Sequence, residues 1–251
     1  GVASATEKGS SQAFMIAQGE TAMDYERILV FGAHPDDELA MAPTIAMLAD
    51  RGVEAYICIS TDGSEGYPRP EWRDQIVQMR AREMEAADEI LGTTERICIG
   101  ADDMGLTNDK PTFKRFIEII RRVRPEAIFT HGPHDRHRDH LATHEISMEA
   151  AWQAGNPVSS ELGEVWRTPY VFFYKAVADR SPDIVLDVSD WAHVRPLTRA
   201  TQKSQHTLWH TSVEELEAEA ERVRQSDERF TNSFWLTDRT SLSYLPPLTE
   251  G

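Results

Sequence analysis

No apolar run in the 251 residues approaches the roughly 18 positions that a membrane-spanning helix requires, so no span is expected and a soluble protein is. Positive charge is also scarce. Lys and Arg number 26 against 42 Asp and Glu, a formal net charge of −16, which argues against nucleic acid and anionic membrane surfaces as partners. Cysteine is limited to Cys58 and Cys98, each in a short apolar run. Two buried free thiols are expected, not a disulfide or a metal pair, and a cytoplasmic location fits them. The G-x-G-x-x-G phosphate turn is missing after the first strand, which disfavours a dinucleotide binder. No internal repeat or low-complexity linker is found.

Residues 1–24 are rich in Ser, Gly, Ala and Thr. They lack a sustained period and the basic and apolar regions of a secretory signal, and are expected to form a partly disordered N-terminal arm. Residues 25–251 are expected to form one domain. From Arg27 onward, short β-branched runs alternate with helical stretches, the pattern of βαβ units. Strands are expected at 27–33, 53–60, 96–100 and 127–130, and helices at 39–51, 72–91 and 112–123. Gly52 and Gly92 stand where helix-terminating glycine is favoured. After residue 160 the rhythm changes to strands at 170–176 and 184–188 and helical stretches at 191–205 and 212–225. Ser212 and Glu215 form a capping box at the last of these, and a Pro-broken tail ends the chain. The expected fold is α/β, a Rossmann-like three-layer sandwich with a mostly parallel sheet and a mixed C-terminal portion.

The run Ile28, Leu29, Val30, Phe31 has the character of a strand buried on both faces, yet it leads directly into "AHPDDE" at 33–38. Five of the nine histidines then fall within 131–144, in "HGPHDRHRDHLATH" after the fourth strand, with a helix expected to begin near Leu141. Both clusters follow strand C-termini, where open α/β sheets place their ligands, so they can meet on one sheet edge. Imidazole and carboxylate together suit a borderline divalent ion such as zinc. A catalytic zinc needs three protein ligands and one open position. Adjacent Asp36 and Asp37 cannot both point at one ion from an extended loop, because successive side chains diverge. One ligand and one general base is the natural division, and it suits amide hydrolysis by metal-activated water.

"AHPDDE" and "HDRHRDH" at 134–140 resemble the paired patterns AHPDDE and H-P-D-H of the LmbE-like, or PIG-L, family of zinc-dependent N-acetylglucosamine de-N-acetylases. The resemblance runs from Arg27 to about Gln205, where "KSQ" at 203–205 is similar to a family tail motif. It implies one Zn2+ per chain, or another divalent transition metal, on His34, Asp37 and His140. It further implies Asp36 as general base, His137 as acid or oxyanion stabiliser, and Asp139 as the group that orients His137. Arg138 replaces the family proline and puts a cation near the rim, where it is a substrate-binding candidate.

"GADDMGL" at 100–106 resembles the family's Gly-x-x-Asp-x-Gly-Leu loop, which makes Asp103 a sugar-binding candidate; an Asx turn is the structural alternative. Arg80 with Glu83 matches an Arg-x-x-Glu pattern and either faces the substrate or is simply solvated. Glu38 either orients an imidazole or favours a helix N-terminus. The implied partner is a small N-acetylated amino sugar or its conjugate, and homo-oligomerisation stays open. Alternatives are a metal-dependent amidase on a non-sugar amide, a facial-triad Fe(II) oxygenase, in which the doubled Asp would be superfluous, and a non-catalytic metal- or carbohydrate-binding module.

Overall fold

Ile28, Leu29, Val30 and Phe31 are all fully buried, and they divide by turns between two cores. That division defines the architecture of the computed structural model, which describes residues 14–16, 25–175 and 180–237. In chain order the strands are β1 (Phe14–Ile16), β2 (Arg27–Gly32), β3 (Glu54–Thr61), β4 (Glu95–Ala101), β5 (Ala127–Thr130), β6 (Tyr170–Phe173), β7 (Ile184–Asp187) and β8 (Thr231–Leu236). The helices are α1 (Ala42–Asp50), α2 (Ile76–Leu91), α3 (Lys110–Val123), α4 (Arg138–Ala154), α5 (Val194–Thr201), α6 (His206–Trp209) and α7 (Val213–Arg224).

The strands form one sheet in the order β1-β7-β8-β6-β5-β2-β3-β4. Pairing is parallel throughout except where β8 runs against β6 and β7, so the expected mostly parallel sheet with a mixed C-terminal portion is borne out. Ile28 and Val30 point into a core shared with Ile45 and Leu48 of α1 and Met84 and Leu91 of α2. Leu29 and Phe31 point into the other, with Phe116 and Ile120 of α3 and Ile146 and Ala150 of α4. Helices therefore cover both faces, as a sheet apolar on two sides requires. The chain leaves β2 to build β3 and β4 on one side and returns to build β5 on the other. This reversal makes the crevice between β2 and β5 the place where the topology opens a ligand site.

Local signals set the helix ends. Gly92 caps α2 at φ 71°, Asp109 caps α3 by accepting the Thr112 N–H (2.9 Å), and Ser212 with Glu215 forms the expected capping box on α7. Helix α4 starts at Arg138, ahead of the expected start near Leu141, because His137 serves as its N-cap through Nδ1. Arg138, Asp139 and His140 consequently occupy its first turn. The stretch expected as a helix at 191–205 is broken after Thr201, where Gln202 leaves helical dihedrals, and resumes as a 3-10 turn, Lys203–Gln205.

Strand β8 escaped the sequence reading, since "TNSFWL" is a short run with polar residues at three of six positions. Cys58 is buried as expected, but Cys98 is exposed, because β4 is the sheet's edge strand. Within the stretch read as an arm, Phe14–Ile16 pairs with β7. The tail from residue 241 and position 176 of the expected strand 170–176 lie outside the described residues. Among the described residues no helix is long and apolar enough to cross a membrane.

Candidate functional site

The loop after β2 folds back on itself at once. The amides of Asp36 and Asp37 both donate to the His34 carbonyl (2.8 and 3.2 Å), and Gly32 makes room, since a Cβ there would meet Ile59 at 2.9 Å and Asp37 at 3.2 Å. In this turn one carboxylate oxygen of Asp37, Oδ2, accepts the amides of Ala33 (2.9 Å) and His34 (2.8 Å). Its other oxygen, Oδ1, accepts from Lys175 Nζ (2.7 Å) and lies 3.3 Å from His140 Nε2. Burial works against this charge, but His131, Lys175 and His34 outweigh it and hold the carboxyl well below the usual range.

Asp36 goes the other way. Its backbone has φ 158° and ψ −7°, a pairing that L-residues rarely adopt, and its Oδ2 pairs with Arg80 (2.9 Å). Burial pushes the Asp36 carboxyl up to about 6 against the pull of Arg80. The two neighbouring acids are thus divided by a tight turn, not by the alternation of an extended loop.

His34 Nδ1 lies 3.1 Å from His140 Nε2 and 3.5 Å from Asp37 Oδ2. Four-coordinate zinc with bonds of about 2.0–2.1 Å holds its donors about 3.3 Å apart; the His34–His140 pair has that spacing, while Asp37 approaches the two rings through different oxygens, Oδ2 toward His34 and Oδ1 toward His140. Three overlapping groups share the region, each with donor atoms within 4.8 Å of one another: His34, His137 and His140; His34, Asp103, His137 and Asp139; and Asp37, His131 and His140.

Behind the imidazoles stand further carboxylates. His34 Nε2 lies 3.2 Å from Asp103 Oδ1 and 3.3 Å from Asp139 Oδ2. Burial opposes protonation of His34, but Asp103 and Asp37 drive its pKa up to about 10, so cation uptake at this ring displaces a proton. His140 Nδ1 is 2.8 Å from Asp135 Oδ2, while Asp135 Oδ1 accepts the His137 amide (2.9 Å). His137 stands edge-on to His34, with ring centroids 4.4 Å apart, and its Nδ1 accepts the Asp139 amide (3.3 Å).

Several expected roles therefore change partners. Asp139, fully buried, accepts from the amides of Met104 (2.7 Å) and Leu106 (3.3 Å) and faces His34; its hydrogen bond with His137 runs through its own backbone N–H. Asp103 faces His34 through Oδ1 (3.2 Å) and accepts the Glu65 amide at Oδ2 (3.1 Å). Arg80 is buried against Asp36 and the Pro35 carbonyl (2.7 Å), and Glu83 faces Ser204. Arg138 is exposed in the first turn of α4. Glu38, fully buried, pairs with Arg96 (2.8 Å) and orients no imidazole.

His131, Asp135, Tyr174 and Lys175 were missed. Fully buried His131 accepts the Ala33 amide at Nε2 (3.2 Å), lies 3.0 Å from the Tyr174 hydroxyl and stacks on His140 at 4.2 Å. Tyr174 and Lys175 follow directly on β6, so the rule that sends ligands to strand C-termini pointed to them. In sequence, nothing else marked them.

Residues 29–151 match the family described as PIG-L, GlcNAc-PI de-N-acetylase. This stretch is similar to that family. A 1D-myo-inositol 2-acetamido-2-deoxy-alpha-D-glucopyranoside deacetylase of Thermomonospora curvata is 31% identical over 169 residues, 56% of this chain and 57% of that protein. The chain thus matches a little over half the length of such relatives. Among solved structures, the N,N'-diacetylchitobiose deacetylase of Pyrococcus horikoshii is similar at a TM-score of 0.73 and 21% identity, covering 85% of this chain and 84% of that one. The 4-carboxy-2-hydroxymuconate hydratase GalB of Pseudomonas putida reaches 0.71 and 21%, covering 90% and 99%. This fold thus occurs in a hydratase as well as in deacetylases, and the fold alone does not assign the reaction.

Proposed function

We propose that this chain is a metal-dependent hydrolase that removes the N-acetyl group from an N-acetylglucosamine-type amino sugar or its conjugate. The observation that carries the reading is the division of Asp36 from Asp37. Asp37 lies against His34 through one oxygen and His140 through the other, whereas Asp36 is paired with the guanidinium of Arg80. The reading assigns His34, Asp37 and His140 as ligands and leaves Asp36 as a non-ligating carboxylate that can act as a base, which hydrolysis of an unreactive amide needs.

One zinc ion on His34, Asp37 and His140, when bound, would polarise the amide carbonyl and lower the pKa of water toward about 7. Asp36 takes the proton of the attacking water and passes it to the departing amine. His137 accepts the Asp139 amide at Nδ1, so its neutral tautomer carries the proton at Nε2 and can donate to the developing oxyanion. The substrate class is supported by the names of the similar deacetylases. A reducing cytoplasm belongs to the same proposal, supported by the two free thiols.

The test is release of free amine from a panel of N-acetylglucosamine conjugates, with metal loaded and with metal chelated. Metal-dependent release from at least one sugar amide is expected. Cleavage confined to non-sugar amides would reassign the substrate, and no amide cleavage at any metal loading would sink the hydrolase reading.

A further inference from the structure

The KSQ segment at 203–205 takes no part in the chemistry above, yet two of its residues are buried against α2 and the loop after β3. Ser204 donates to Glu83 through both its amide (2.6 Å) and its hydroxyl (2.7 Å). Glu83 lies one helical turn after Arg80, so this pair docks the segment beside that arginine. Gln205 then donates from Nε2 to the carbonyl of Gly66 (2.9 Å) and to Ser204 Oγ (2.8 Å).

The Gly66 backbone lies flush on the guanidinium: a Cβ there would come within 2.5 Å of Arg80 Nη1. At Gly63, with φ 69°, it would come within 3.1 Å of the same nitrogen. Arg80 in turn donates from Nη2 to the Pro35 carbonyl (2.7 Å) and pairs with Asp36 (2.9 Å). One unbroken line of contacts runs from Gln205 through Gly66 and Arg80 to Asp36.

We propose that Gln205 is a positioning residue that clamps the Gly63–Gly66 loop onto Arg80 and so fixes the carboxylate of Asp36. Arginine has a long stem with many rotamers, and a planar fork aims two donors only when packing removes the alternatives. Two glycines supply the close backbone approach, and Gln205 supplies the hydrogen bond that keeps the backbone there. This deepens the hydrolase reading and rests on it for the role of Asp36.

The test uses the full chain loaded with zinc and two variants: Gln205→Met, which keeps similar volume without the donor, and Gly66→Ala, which pushes directly on Arg80. Arg80 labelling by a dicarbonyl reagent, mapped by peptide mass spectrometry, reads the clamp without reference to activity. At least about tenfold faster labelling of Arg80 is expected in both variants, as local opening raises its access. With a cleaved substrate in hand, kcat should fall roughly 10- to 100-fold with KM little changed. In an Arg80→Met background, Gln205→Met should then cost nothing further. Unchanged Arg80 labelling in the folded variants, or a full multiplicative loss in the Arg80→Met background, overturns the proposal. Should Gln205→Met fail to fold, Gln205→Glu, which replaces the donating amide by an acceptor of the same size facing the Gly66 carbonyl, decides in its place. A wild type that cleaves no amide fails the hydrolase reading, while the labelling still decides whether the clamp exists.

Discussion

Asp139 Oδ2 lies 3.3 Å from Nε2 of His34, and Nδ1 of the same ring lies 3.1 Å from Nε2 of His140. The imidazole is held from behind by a carboxylate while its other nitrogen faces the proposed ion. In metal-binding histidines that arrangement fixes both tautomer and ring orientation.

Replacing Asp139 with Asn should therefore weaken metal binding by roughly 10- to 100-fold. Competition against a chromophoric chelator reads this directly. Unchanged metal affinity together with lost activity would return Asp139 to the role implied by family resemblance, that of orienting His137.

Asp36→Asn should keep the metal and lower turnover by roughly 10²- to 10⁴-fold, the cost of losing a general base. Metal content by mass spectrometry and kcat at saturating substrate are the two measurements. Glu38, the neighbouring acid, is fully buried and pairs with Arg96 through Oε1. Near-full turnover in the variant would move the search for the base to His137.

Asp135 predicts a pH dependence of stability in the metal-free protein. Burial acts to raise its carboxyl, but the His137 amide and the His140 imidazole prevail and hold it at about 2, below the ordinary 3.8. A depressed carboxyl stabilises the fold fully above the unfolded value, and that contribution is lost as pH falls toward the folded value. Urea midpoints should drop between pH 4 and pH 2, less steeply in Asp135→Asn. Parallel curves for the two proteins would show that Asp135 contributes nothing to acid stability.

The sequence by itself determined the layers and the sheet edge. Four consecutive apolar residues before "AHPDDE" demand a strand buried on both faces, and helical stretches between such strands demand a parallel sheet with covered sides. It also determined which loops meet, because the C-termini of parallel strands share one edge. Strand β8 stayed hidden, since half its residues are polar and its burial comes only from pairing with β6 and β7.

Within the site, the types of the ligating groups were legible but their partners were not. Asp139 turns to His34, Arg80 to Asp36 and Glu38 to Arg96, contacts that span from 44 to 105 positions by residue number. Only tertiary structure could decide them, because a carboxylate's partner is set by which donors burial leaves within about 3 Å, and that depends on packing between elements distant in the chain.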